Sequence, residues 1–242
     1  MRPCKQQGCG HDAKGFSSYC EYHKRNKARH GHPLQRGITK ADLKPYVKEV
    51  RAFLANNHPD KAKAVLEGIW GRTVKASQRF IDMANKGSPF IGYEMEAHQA
   101  VLSLAREQDA ETIGVTLIAL GLWLEEDPRF WKHHDGFRYQ AVRMLLRLNP
   151  REASFQWRNG KMERSSYRQV PPKTIEHLWA IIHSTGLIAY GVEIARRKEI
   201  AKEKRLARQK EERAAFFGEA PSNSTTNHLP SMENNKNEYS TI

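Results

Sequence analysis

Ile113-Gly-Val-Thr-Leu-Ile-Ala-Leu-Gly-Leu-Trp-Leu124 is apolar at almost every position. A helix lying on a protein surface shows an apolar stripe, whereas one that is apolar all round must be covered on every side. The stretch therefore reads as the buried central helix of a helical body. At about a dozen residues it is too short to cross a bilayer.

Helical periodicity continues on both sides. From Thr39, Leu43, Val47, Val50 and Leu54 recur at steps of three and four, with Pro45 tolerable only near the helix start. A second helix is expected from Pro59-Asp60 to Gly87-Ser88-Pro89, with Val65, Leu66, Ile69, Trp70, Thr73, Val74, Ser77, Phe80, Ile81 and Ala84 along one face. Gly68 and Gly71 in its middle signal either close packing or a bend. A third, about Tyr93 to Gln108, would bury Ala97, Val101, Leu104 and Ala105.

Beyond the central helix, Phe137 to Asn149 places Ala141, Leu145 and Leu148 inward and Tyr139, Arg143 and Arg147 in a row on another face. Asn159-Gly160 between two short runs signals a hairpin near 155–164, with Arg158 facing Lys161 and Trp157 facing Met162. Pro171-Pro172 restarts a helix that buries Ile175, Leu178, Trp179, Ile182 and Ile188. It is expected to continue as a charged helix through Arg196–Arg213. Glu176, His177, His183 and Glu193 argue against a membrane span there. From Gly218 the Ser-, Thr-, Asn- and Pro-rich tail should be disordered. The expected fold is mainly α, with a small N-terminal module at 1–36, a helical domain at 37–195, a charged helix at 196–217 and a tail at 218–242.

The N-terminal module has a different logic. Cys4, Cys9 and Cys20 are the chain's only cysteines, and His23 follows the last of them by three positions. Zn²⁺ takes four tetrahedral thiolate or imidazole ligands, and the pairs C-x4-C and C-x2-H each suit a tight turn. Little apolar material surrounds them, so a structural zinc would serve as the core of this segment. Two of the thiols could pair as a disulfide. The odd count, however, and the lack of an apolar stretch after Met1 point to a reducing compartment, with the cytoplasm expected. His11 competes as fourth ligand, but His23 completes the more compact pair.

Cys4, Cys9, Cys20 and His23, followed by Lys24, Arg25, Arg29, Gly31 and Pro33, resemble the small zinc module at the N-terminus of many phage-encoded proteins, some HNH homing endonucleases among them. The resemblance covers about residues 1–34. It implies a phage or prophage setting, hence a host-cell cytoplasm, and contact with nucleic acid. No His-Asn-His arrangement follows downstream, so it carries over no activity.

Charge supports the same partner. With 40 Lys and Arg against 27 Asp and Glu, the chain carries +13, which favours a polyanion. The excess is segregated. Residues 1–36 hold eight basic against two acidic residues, 137–173 nine against two, and 196–213 nine against four. Lys24, Arg25, Lys27 and Arg29 read either as one face of a short helix or, preferably, as a phosphate-binding arm. Arg143, Arg147, Arg158, Lys161 and Arg164 form a second candidate surface, laid out like a helix and wing, with Tyr139 and Trp157 available to stack on bases. An ordinary solvated basic surface accounts for it equally well.

His133-His134-Asp135 does not make a metal triad, because consecutive side chains diverge, and His98 reads as a packing histidine. The leading expectation is a zinc-containing nucleic-acid-binding protein without catalytic activity, with DNA favoured over RNA and no membrane. The alternatives are a DNA-processing nuclease with a scattered site and a helical adaptor that holds a protein partner through its C-terminal helix.

Overall fold

A computed structural model describes residues 2–56, 59–149, 153–158, 161–167 and 170–217, the two strand segments by their backbone alone. The described residues are mainly helical: α1 Glu21–His30, α2 Lys40–Asn56, α3 Pro59–Asn85, α4 Gly92–Glu107, α5 Ala110–Glu126, a short 3₁₀ turn Pro128–Phe130, α6 His134–Leu146, α7 Pro172–His183 and α8 Leu187–Phe217. Between α6 and α7, β1 Ala153–Arg158 pairs antiparallel with β2 Lys161–Tyr167, placing Trp157 opposite Met162 and Arg158 opposite Lys161. The Asn159-Gly160 turn and the side chains of Trp157, Arg158, Lys161 and Arg164 lie outside the described residues, as does the tail from 218. Among the described residues, no single helix is long and apolar enough to cross a membrane.

α5 is the hub. Asp109 caps it by accepting the Thr112 N–H at 2.6 Å, and every residue from Ile113 to Trp123 is buried. α2, α3 and α6 pack around it, while α4 joins α3 to α7. Where helices cross closely, the sequence supplies glycine. A Cβ on Gly121 would come 2.0 Å from the Ile188 carbonyl oxygen of α8, and one on Gly191 2.0 Å from that of Ile118 on α5. A Cβ on Gly71 would meet nothing within 4 Å and one on Gly68 only the Arg72 side chain at 3.7 Å, and α3 runs unbroken through both. Val65, expected on the buried face of α3, is exposed, because Leu66, Trp70, Ser77 and Ala84 set the inward stripe.

The helix expected to run from Pro172 into the charged segment is interrupted. Gly186 adopts φ 72°, and α7 and α8 meet there at 60°, since a residue in the left-handed region ends a helix.

The chain divides into Met1–Lys198 and Glu199–Ile242, with no division after residue 36 where composition suggests one. The reason lies in the segment behind α1. Gln35, wholly buried, accepts the Lys132 N–H at 3.0 Å. Gln140, also wholly buried, accepts the Ile38 N–H at 3.1 Å and contacts His30 Nδ1 at 3.0 Å. Gly31 ends α1 at φ 80°, and a Cβ there would meet the Asp135 carbonyl oxygen at 2.5 Å and the Tyr139 ring at 2.8 Å. Gly31→Ala should therefore cost about 1–2 kcal/mol for the left-handed backbone plus a steric cost at α6. Gly15→Ala, at φ 61° with open space around it, should cost the backbone part alone. Urea unfolding of the two variants separates the terms, and equal losses would mean that the α1–α6 contact is loose.

In the second unit, Glu199–Phe217 of α8 is supported by Lys202–Glu199 and Arg208–Glu212 pairs at 3.1 and 2.8 Å. Such exposed pairs contribute little stability individually.

Candidate metal centre and the basic face

Two features set the local fold of residues 2–23. An antiparallel bridge joins Pro3 to Asp12, with the Cys4 N–H on the His11 carbonyl at 3.1 Å and the Ala13 N–H on the Arg2 carbonyl at 2.8 Å. The turn between Cys4 and Cys9 uses Gly8 at φ 74°. The chain then returns so that Cys20 becomes the N-cap of α1 and His23 falls in its first turn. C-x2-H is thus the spacing of a helix cap and a residue three positions on.

The four side chains converge. Their ligand atoms all lie within 4.8 Å of one another, and Cys4, Cys20 and His23 are buried. Cys9 Sγ is 3.8 Å from Cys20 Sγ, while His23 Nδ1 is 3.5 Å from Cys4 Sγ and 3.3 Å from Cys20 Sγ. Tetrahedral Zn²⁺ with bonds of about 2.3 Å to sulfur and about 2.0–2.1 Å to nitrogen places S···S edges near ~3.8 Å and S···N edges near ~3.5 Å. The cluster is compatible with such an ion, held through Nδ1 of His23. His11 contributes its backbone carbonyl, not its ring, which lies outside the cluster.

The surroundings pull the Cys4 and Cys9 thiols in opposite directions. For Cys4, burial opposes ionisation but is outweighed by the Cys20 and Gln6 N–H groups and by His23 and Cys9, which lower the thiol to about 6. For Cys9 the His11 N–H lowers the thiol, yet burial and the Cys20 and Cys4 sulfurs outweigh it and push it up.

The basic residues fare differently. Lys24, Arg25, Lys27 and Arg29 are exposed on α1, so the segment is a helix and not the preferred extended arm; Gly31, in the left-handed region, ends it. Lys24 and Lys27 line a groove of about 520 Å³ with Ser18, Tyr19, Arg138 and Glu176, and Lys27 Nζ lies 5.1 Å from the Tyr19 ring centre.

Arg143 and Arg147 are instead half-buried and turned inward. Arg143 donates to the Arg29 carbonyl and Arg147 to the Ile38 carbonyl. Burial lowers the Arg143 guanidinium, and the nearby Arg147 and Arg29 charges add to the effect. Arg143 thus satisfies one of the orphan carbonyls in the last turn of α1. Tyr139 packs against Gly31, is half-buried and lines the same groove as Lys24 and Lys27. Arginines at helical spacing look alike in a sequence whether they face solvent or a neighbouring helix end. Gln35 and Gln140, which tie the segment behind α1 to Lys132 and α6, gave no sequence signal because isolated amides rarely mark a function.

His133 caps α6, its Nδ1 accepting the Asp135 N–H at 3.1 Å, and its ring stacks on His32 with centres 5.7 Å apart. His98 packs on Phe80 at 4.1 Å and contacts the buried Ser77 hydroxyl at 3.0 Å, with burial lowering its basicity. Among the described residues, no other group of three or more metal-ligating side chains comes together. No protein-family model matches the chain, and comparisons with curated proteins and with solved structures find no match either.

Proposed function

We propose that the chain is a zinc-stabilised nucleic-acid-binding protein that works by phosphate neutralisation, without a catalytic step. One juxtaposition carries this reading: a compact Cys3His cluster opens a helix whose exposed residues include Lys24, Arg25, Lys27 and Arg29. The zinc would hold the N-terminal turns and the start of α1 in place through Cys4, Cys9, Cys20 and His23. Its contribution would be structural, since four protein ligands leave no open position for substrate. The phage setting implied by the sequence resemblance belongs to the same reading.

The basic sets then take different roles. Neutralising Lys24, Arg25, Lys27 and Arg29 to glutamine should weaken binding and flatten its dependence on log salt by about 0.9 per lost phosphate contact on duplex, or about 0.7 on single strands. The same change at Arg196, Arg197, Lys202 and Arg205 should flatten it less, because three of these already pair with Glu125, Glu193 and Glu199. Arg143→Ala with Arg147→Ala should lower stability and leave the slope nearly unchanged. Metal content of the purified protein, together with binding titrations at two salt concentrations, tests the whole. Equal slopes for the first two variants would show that charge acts diffusely; a metal-free chain with an ordered N-terminal module would remove the zinc.

A further inference from the structure

The N-terminal module holds two large aromatic side chains that its own packing does not use. Residues Lys14–Ser17 form a tight turn closed by the Ser17 N–H on the Lys14 carbonyl at 3.2 Å, with Gly15 at φ 61°. Phe16 stands at its tip and is completely exposed, at 104% of the reference area. Tyr22, in the first turn of α1, is 68% exposed and makes an edge contact with the His23 ring at 5.2 Å. A phenylalanine ring in water adds nothing to the stability of a module whose interior is filled by metal ligands.

The neighbours of both rings are cationic. Arg2 donates to the Gly15 carbonyl at 3.1 Å, which puts its guanidinium at the base of the Phe16 turn. Lys14 reaches Glu21 at 3.7 Å and Arg25 reaches the same carboxylate at 3.8 Å, so the turn and the start of α1 adjoin through one acidic side chain. Lys24 is exposed beside them. A protein partner or a lipid interior would call for further apolar area around the rings. Cations interleaved with exposed aromatic faces suit a strand whose phosphates track the charges and whose bases lie on the rings. In a duplex those base faces are already stacked on one another.

We infer that the module binds single-stranded nucleic acid, with unpaired bases stacking on Phe16 and Tyr22 and phosphates held by Arg2, Lys14, Lys24 and Arg25. The inference rests on the nucleic-acid reading above and narrows it to single strands.

The test uses the full chain, with metal content checked for each variant, against fluorescein-labelled oligo-dT, oligo-rU and a duplex of the same length. Phe16→Ala combined with Tyr22→Ala should weaken binding to both single strands by about tenfold or more, as expected for lost base–aromatic stacking. The salt slope should stay unchanged because no phosphate contact is removed, duplex binding should move by less than about twofold, and Phe16→Trp should retain single-strand affinity. Unchanged single-strand binding in the double variant, or an equal loss on duplex, overturns the inference while leaving nucleic-acid binding intact. A wild-type chain that binds none of the three probes overturns both.

Discussion

Ala in place of Gly191 or Gly121 should cost more than about 3 kcal/mol of stability. The added Cβ would lie 2.0 Å from a backbone carbonyl oxygen in either case, Ile118 for Gly191 and Ile188 for Gly121. Overpacking against a side chain is relieved by a rotamer change at about 1–3 kcal/mol, but a helix carbonyl cannot move without carrying the helix with it. Either substitution therefore drives α5 and α8 apart and opens the most buried part of the core. Gly71→Ala is the matched control. Its Cβ would meet nothing within 4 Å, and alanine in a helix interior should add about 0.5–1 kcal/mol of stability. Chemical unfolding of the three variants measures this directly, and a Gly191→Ala protein within about 1 kcal/mol of wild type would show that the two helices can separate cheaply.

Removing the metal should act on another part of the chain. Chelation, or Cys20→Ala, is expected to abolish metal binding and to melt residues 2–36, because structural zinc supplies about 10–16 kcal/mol in isolated modules and no apolar core substitutes for it here. The loss of helical signal should be limited to α1, ten residues. The thermal midpoint of the remainder should also fall, since melting the module removes His30 from Gln140 and strips Arg143 of the Arg29 carbonyl. Metal content, far-ultraviolet circular dichroism and thermal melts on one preparation suffice. Full metal occupancy in the Cys20→Ala protein would rule out the proposed ligand set, and loss of the entire helical signal would mean the body depends on the metal as well.

These two experiments separate what was legible locally from what was not. The continuous apolar run of α5, the stripes of α2 and α4, and the Cys4–His23 spacing are short-range patterns, and each is a direct consequence of backbone periodicity or ligand chemistry. By themselves they determine a mainly helical chain with a candidate metal cluster at its start. Cys20 and His23 can serve one metal because a helix cap and its third following residue share a side.

Only the tertiary structure decided which glycines matter and which arginines are free. Gly71 and Gly191 are equally plain in the sequence, yet one faces open space and the other a carbonyl oxygen of α5. Arg143 and Arg29 belong to equally basic stretches, yet the first serves the second by capping its carbonyl. The bend at Gly186 likewise turned one expected helix into two. Periodicity determines which face of a helix is apolar, whereas contacts between residues about a hundred positions apart, such as Ile38 with Gln140 and Gln35 with Lys132, depend on how whole helices cross. That crossing is fixed by close packing of many side chains at once, and no local stretch of sequence contains it.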